Sequence, residues 1–303
     1  MAKVPRRAVN GWVILDKPPG LTSTQAVGKI RWLFNAEKAG HGGTLDPLAS
    51  GLLPIALGEA TKTVPFAMAG EKTYLFTVQW GAETATCDLE GAVTARSDKR
   101  PVSADIEAIL QQFTGTILQV PPAFSAMKVA GQRAYDLARA GEAVELAARP
   151  VTIHRLTLLG QEGDAARFEV HCGKGTYVRS LARDLGRALG CLGHVTSLRR
   201  TRVGAFTENH MISLENLEDL RHKAPGGNAM ERALIAIETV LDGIPALAVT
   251  ADEGKRLRQG QEVLLTGIPI TSAETVLIRC EGEPLGLAGV TDGRVKPRRL
   301  FNL

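Results

Sequence analysis

The sequence predicts an α+β protein carrying a smaller β unit at its C-terminal end. Three observations lead there. Residues 72–80, KTYLFTVQW, set Tyr74, Phe76, Val78 and Trp80 alternately with Thr73, Leu75, Thr77 and Gln79, the two-residue period of a strand with one aromatic face. Other segments carry apolar residues at helical spacing: Ile106, Ile109, Leu110 and Phe113 in one, Val178, Leu181, Ala182, Leu185 and Leu189 in another. From about Pro245 the chain changes to short apolar runs broken by glycine (EVLLTG, TVLIRC, GLAGV), the texture of a small β-barrel of roughly 60 residues.

Taken in order, GWVIL (11–15) reads as a short buried strand stopped by Pro18, Pro19 and Gly20. Ser23 or Thr24 is placed to cap a helix running to about Phe34, with Val27, Ile30, Arg31 and Phe34 along one side. A stretch rich in glycine and proline (39–62) precedes the aromatic strand, and GAETATCDLEG (81–91) follows it as a polar loop bounded by glycines. Ser103 is the expected cap of the helix at 103–113. PPAFSAMK opens an insertion with a short helical pattern near 132–140, and Gly131, Gly141 and Pro150 sit where hinges fit. Residues 151–159 and 166–172 alternate as paired strands. In the next helix Arg179, Arg183 and Arg187 recur at i, i+4 and i+8 away from the apolar stripe, a pattern that reads as a solvated row. VTSLRRTRV (195–203) is a strand with a basic end, in which Leu198 reads as a core residue. Residues 212–243, including APGGN at 224–228, form an acidic helical connection, and the last segment ends with Arg294, Lys296, Arg298 and Arg299.

The length of 303 residues suits about two domains. Hydrophobic residues make up 44%, enough for a core. The net charge of +4 and pI near 8.9 hint at a polyanionic partner. Charge is segregated: residues 171–204 hold seven Lys/Arg against one acidic residue, whereas residues 205–245 hold three against seven. That suits one face meeting phosphates, or a set of solvated helix faces. Cys87, Cys172, Cys191 and Cys280 form no C-x-x-C pair, and the histidines show no H-x-x-x-H spacing, so no metal site is expected. MAKVPRRAVN carries no apolar signal stretch, and no apolar run approaches the roughly 20 residues of a membrane span. The expectation is a soluble protein of the reducing cytoplasm.

The stretch AGHGGTLDPLASGLLPIALGEATK (39–62) is a shaped loop, because its glycines open backbone angles closed to other residues and its prolines fix φ. Such loops on rigid scaffolds often carry function. Asp46 is its one acidic group before Glu59. Asp followed by Pro47 is also a common helix start, so capping and chemistry are both open readings of Asp46.

Five ordered stretches decide how the motif is weighed. GWVILDKPPGLTS (11–23), GTLDPLASGLLPIALGEATK (43–62), EKTYLF (71–76), PPAFSAMKVAGQRAYDLARAG (121–141) and HCGKGTYVRSLARDLG (171–186) resemble the bacterial-type tRNA pseudouridine synthase B family, over roughly residues 10 to 245. One departure is Gly42, where the family usually has Thr. The resemblance implies a mixed, mainly antiparallel sheet of pseudouridine synthase type in residues 1–245, with helices and a thumb insertion at about 121–150, and a PUA-like RNA-binding unit at 246–303. It implies Asp46 as catalytic nucleophile, Arg179 as its partner, and Tyr177 as a group that contacts the base and helps to move a proton. It places Tyr74 against the target base, where a phenol ring stacks for roughly 1–3 kcal/mol. Tyr74 by composition alone is a core residue as readily as a ligand. His41 is expected to fill space or contact nucleotides in the distorted loop, Leu198 to lie beside the base, and Lys17 to support the site's structure.

The implied reaction is isomerisation of uridine 55 in the T loop of tRNA. Uracil leaves C1′ through N1, turns, and reattaches through C5, so atoms balance and no cofactor is expected. A carboxylate and a closed site that retains the detached base are what such chemistry asks of a protein. The base must be flipped out of a folded RNA at a cost of a few kcal/mol. The expected partner is the tRNA T stem-loop alone, with the protein a monomer. Two other classes stay open: an RNA N-glycosylase, in which Asp46 activates water, and a non-catalytic tRNA-binding or folding factor.

Overall fold

The computed structural model describes residues 5–125, 127–129, 132–133, 146–223, 229–270 and 272–303. Its main sheet contains β1 (Gly11–Lys17), β2 (Ala39–His41), β3 (Ser50–Leu57), β4 (Lys72–Trp80), β5 (Gly115–Gln119), β6 (Arg149–Glu162), β7 (Ala165–Cys172), β8 (Gly193–Val203), β9 (Phe206–Thr207) and β10 (Ile212–Ser213). The order across it is β10-β1-β3-β8-β4-β7-β6-β5, with β2 on β3 and β9 on β8. β1 with β10 and β3 with β8 are parallel; the other pairs are antiparallel. This is the mixed, mainly antiparallel sheet of the α+β expectation.

Helices α1 (Ser23–Leu33), α2 (Val64–Ala69), α3 (Ser103–Leu110), α4 (Val178–Ala188) and α5 (Leu214–Lys223) pack around it. The stripe Val178, Leu181, Ala182, Leu185 and Leu189 buries α4 against Phe76, Val78, Trp80, Phe168 and Val170, so the aromatic face of β4 is a core face. Ala26, Ile30 and Leu33 of α1 pack with Val13, Leu15, Leu53 and Ile55 in a second core cluster. Tyr74 and Leu198 lie partly buried against both clusters, where the two halves of the sheet meet. The site forms over that seam.

Two caps differ from the sequence expectation. Thr22, not Ser23 or Thr24, caps α1: its side chain accepts from the Gln25 N–H, and the Gln25 side chain returns the bond. Ser23 is spent elsewhere, its Oγ donating to the Leu45 carbonyl at 2.9 Å. At α3 the N-cap is Val102 without a side-chain cap, and the Ser103 hydroxyl donates to Gln161 instead. In the insertion, Gln132–Arg133 pair as a short strand with Lys128–Val129 instead of opening a helix, and Pro150 lies within β6, paired with Leu118 of β5, not at a hinge; residues 134–140 and the hinge glycines 131 and 141 lie outside the described residues, as does APGGN at 224–228.

The C-terminal unit is a five-stranded curled sheet, half a barrel, with a helix against it. Its strands are β11 (Ala246–Val249), β12 (Val263–Leu264), β13 (Ser272–Cys280), β14 (Glu283–Thr291) and β15 (Arg294–Leu300), ordered β11-β13-β14-β15-β12, with α6 (Ala251–Arg258) beside them. Leu277, Leu287 and Phe301 from this unit share a core cluster with Trp12, Ile14, Leu52 and Phe206 of the main sheet. Lys62 Nζ donates to the Leu300 carbonyl at 2.7 Å, and the Asn302 N–H donates to Glu59 at 2.7 Å across the same contact.

Candidate active site

Asp46 does not start a helix. It lies in a turn between β2 and β3, closed by the Ala49 N–H donating to the Asp46 carbonyl at 3.1 Å. The successive carbonyls around it are all held. Arg200 Nη2 donates to Gly43 O and Nη1 to Thr44 O, each at 3.1 Å. Ser23 holds Leu45 O, and its Oγ accepts the Leu45 N–H in return at 2.9 Å. Lys17 Nζ donates to Pro47 O at 3.2 Å, as does the Gly20 N–H at 2.7 Å. A loop so fully bonded presents one side chain in one place, which is how a site avoids reorganising at the moment of reaction.

Lys17 is fully buried at the end of β1, and its ammonium also donates to Pro18 O and Leu21 O at 2.9 and 2.8 Å. Burial pulls its pKa down to about 8, Asp46 partly opposing and Arg200 adding to the shift. The shift is the desolvation cost of a buried ammonium.

Arg179, at the start of α4, faces Asp46 with two nitrogens. Nη2 donates to Oδ1 at 3.2 Å, and Nε lies 2.9 Å from Oδ2 as an ion pair without hydrogen-bond alignment. Behind it, Nη1 lies 3.4 Å from Asp88 Oδ2 and donates to Thr86 O at 3.1 Å, while Nη2 also donates to Phe124 O at 3.0 Å. Asp88 is itself buried and bound by the Thr86 hydroxyl and by the Glu90 N–H at 3.0 Å. Arg179 is 7% exposed, whereas the Asp46 side chain is 34% exposed, so the carboxylate keeps a free side toward solvent. A planar guanidinium gripping one carboxylate, and anchored by a second, fixes the orientation of the first.

Asp46, Asp88, Arg179, Leu48, Ala49 and Leu198 line one cleft, with residues 195–197 of β8 on its wall. Tyr177 immediately precedes α4, and its backbone is clamped by Gln119, which accepts the Tyr177 N–H at 2.8 Å and donates to its carbonyl at 3.2 Å. Burial raises the Tyr177 hydroxyl's pKa, the neighbouring Ser125 hydroxyl opposing, and Asp46 raises it further. Burial likewise raises the pKa of Tyr74, against the pull of the nearby Arg200 guanidinium. His41 sits at the end of β2 with Nδ1 buried and unbonded, and burial, then Arg200, lower its pKa, favouring neutral imidazole. The structure thus brings Asp46, Arg179 and Leu198 into one cleft, with Tyr177 and Tyr74 each within electrostatic reach of Asp46. Lys17 lies under the loop, and His41 stands before it on β2.

The row of arginines on α4 is solvated only at Arg187, while Arg179 and Arg183 are buried. Arg183 is buried, donating to Val120 O at 2.9 Å and to Asp184 at 2.8 Å, and Arg187 grips Glu83 with two nitrogens. Sequence reasoning missed Asp88 and Arg200. Asp88 sat in a stretch legible only as a polar loop. Arg200 sat in LRRTR, where spacing alone cannot separate one buried guanidinium from its exposed neighbours.

The chain is matched over residues 31–178 by the family model described as TruB family pseudouridylate synthase (N terminal domain). Residues 179–242 match the tRNA pseudouridylate synthase B C-terminal domain, and residues 245–301 match pseudouridine synthase II TruB, C-terminal. A tRNA pseudouridine synthase B of Bradyrhizobium diazoefficiens is 59% identical over 98% of this chain and 87% of the relative. One of Rhodopseudomonas palustris is 57% identical over 98% and 82%. Among solved structures, a Cbf5-Nop10-Gar1 complex matches at TM-score 0.75 and 28% identity, covering 96% of this chain and 84% of the other. An H/ACA ribonucleoprotein bound to a substrate RNA containing 2′-deoxyuridine matches at TM-score 0.75 and 26% identity, covering 97% and 85%.

Proposed function

Because the chain belongs to the TruB family of pseudouridine synthases and is a tRNA pseudouridine synthase, we propose that it isomerises uridine 55 of the T loop with Asp46 as nucleophile. The observation that carries this reading is the partly exposed Asp46 carboxylate, oriented by Arg179 with Asp88 behind it, in a cleft that Leu198 also lines. In this reading the flipped uracil stacks on Tyr74 and rests against Leu198. Asp46 acts on the nucleotide as the N1–C1′ bond breaks. The detached base turns, C5 bonds to C1′, and the C5 proton leaves through a neighbouring group, with Tyr177 as the proposed relay, while N1 regains a proton. Retention of uracil depends on a site that excludes water, which the apolar walls and the bonded loop favour.

The T stem-loop is bound as shape more than as sequence, since RNA helices hide base edges in a deep major groove. The protein acts alone, in the cytoplasm, in this proposal. No helix among the described residues is long and apolar enough to cross a membrane. The test is incubation of unmodified tRNA with the protein, followed by mapping of the product and by measurement of free uracil. A mass-silent uridine isomer at position 55 is expected. Stoichiometric uracil release with abasic RNA would replace the synthase by an N-glycosylase, and an isomer elsewhere would move the target.

A further inference from the structure

Arg200 is 1% exposed, one of the largest fully buried side chains of the protein, and among the described residues no carboxylate pairs with it. A buried cation without a counter-ion is costly, and a fold keeps one only where its hydrogen bonds repay the desolvation. Its backbone partners lie on either side of Asp46. Nη1 and Nη2 hold the carbonyls of Thr44 and Gly43, which lead into Asp46, and Nε holds the Leu52 carbonyl at 2.8 Å, on the strand that leads away from it. Tyr74 faces Arg200 as its cross-strand partner on β4, close enough for the guanidinium to pull on its phenol. Leu198 lies two residues earlier on the same strand as Arg200.

The backbone geometry enforces the contact. β3 and β8 run parallel here, with Gly51 opposite Arg200, and Gly51 has φ +96°. A β-carbon at Gly51 would lie 2.3 Å from the Arg200 carbonyl, so only glycine lets the strand leaving the Asp46 loop approach β8 this closely.

We propose that Arg200 is a positioning residue for the isomerisation, its one guanidinium fixing the Asp46 loop to the strand β8 that pairs with Tyr74. The proposal rests on the functional reading given above. The planar fork is what the task needs: it reaches three backbone carbonyls at fixed angles, and a lysine ammonium cannot span them.

The experiment uses the full chain and unmodified tRNA transcript. Arg200→Lys, Arg200→Gln, Tyr74→Phe and the Arg200→Lys/Tyr74→Phe double variant are compared for melting temperature, tRNA affinity and single-turnover rate. Arg200→Lys and Arg200→Gln are expected to stay folded at 25 °C and to bind tRNA within about threefold of wild type, while the rate falls roughly 100-fold, the cost of a misplaced reacting group. Because Arg200 faces Tyr74 across the strand pair, Arg200→Lys should cost less in the Tyr74→Phe background than in the wild-type background. Additive losses overturn the coupling to Tyr74. Unfolding of both Arg200 variants, a loss of affinity that accounts for the lost rate, or wild-type turnover overturns the proposal as a whole. Wild-type product identity is scored separately: pseudouridine at position 55 with fully active Arg200 variants defeats this inference alone, and absence of isomer from wild type defeats the functional reading beneath it.

Discussion

At the scale of single residues, three side chains have distinct expected signatures. Asp46→Asn nearly keeps the shape of the carboxylate but removes its charge, so folding and tRNA binding should persist while isomerisation is lost. A rate within about tenfold of wild type would remove Asp46 from the nucleophile's role, because covalent catalysis is worth several kcal/mol. Tyr74→Leu should lower turnover roughly 5- to 150-fold if stacking is the main contribution, with Tyr74→Phe losing less. If Phe falls as far as Leu, the Tyr74 hydroxyl is the working part. Lys17 yields a pH signature. Its folded pKa of about 8 lies below the ordinary 10.5, so the unfolded chain holds the proton more tightly. Its contribution to stability is therefore fully present above about pH 10.5 and is lost as pH falls through about 8. Melting curves should show wild type gaining on Lys17→Met between pH 8 and 10.5; a constant difference over that range would mean that Lys17 titrates normally.

At the scale of elements, the Asp46 loop and α2 are matched through Gly42. A β-carbon at Gly42 would lie 2.8 Å from Ala67 Cβ, and 3.4 Å from both Pro54 and the Trp12 ring. The departure from the family's usual Thr is therefore accommodated by what α2 and β1 place against it. Gly42→Thr is expected to lower stability by about 1–3 kcal/mol through overpacking. The same change in an Ala67→Gly background should cost less, even though glycine in a helix itself costs about 1 kcal/mol. Equal costs in both backgrounds, read by denaturant unfolding, would show that Ala67 is not what Gly42 makes room for.

At the scale of the whole molecule, the C-terminal unit is joined to the main sheet by a core as well as by charge. Leu277, Leu287 and Phe301 fill a cluster with Trp12, Ile14 and Leu52, so deletion of residues 246–303 would expose that cluster and lower the melting temperature. Its part in RNA affinity is better tested by charge alone. Arg294, Lys296 and Arg298 are exposed, and the ion pairs of Lys296 with Glu262 and of Arg298 with Glu274 lie at the surface, where such pairs contribute little. Replacing the three by Gln should keep the fold and the saturated rate, weaken tRNA binding and reduce the salt slope by about 0.7–0.9 for each phosphate they neutralise in the wild type. An unchanged slope would exclude these side chains from the RNA interface.

Periodicity was enough to place β4, the β6–β7 hairpin, the apolar stripe of α4 and the change of texture near Pro245, because each buries one face along a short continuous segment. The resemblance carried by the ordered motifs implied that Arg179 faces Asp46, and the fold brings the two within ion-pair distance. Capping was not fully legible: Thr22 and Ser23 are both good caps, and only the position of Leu45 decided that Ser23 serves the loop. Nor was burial of charge. Arg183 and Arg200 read as members of basic rows, and Asp88 as a loop acid, until the folded chain brought Val120, the 43–44 carbonyls and Arg179 against them. A sequence records which groups can ionise or donate. Whether one of them faces water or a carbonyl is settled by contacts between residues far apart in the chain, and only the tertiary structure makes those.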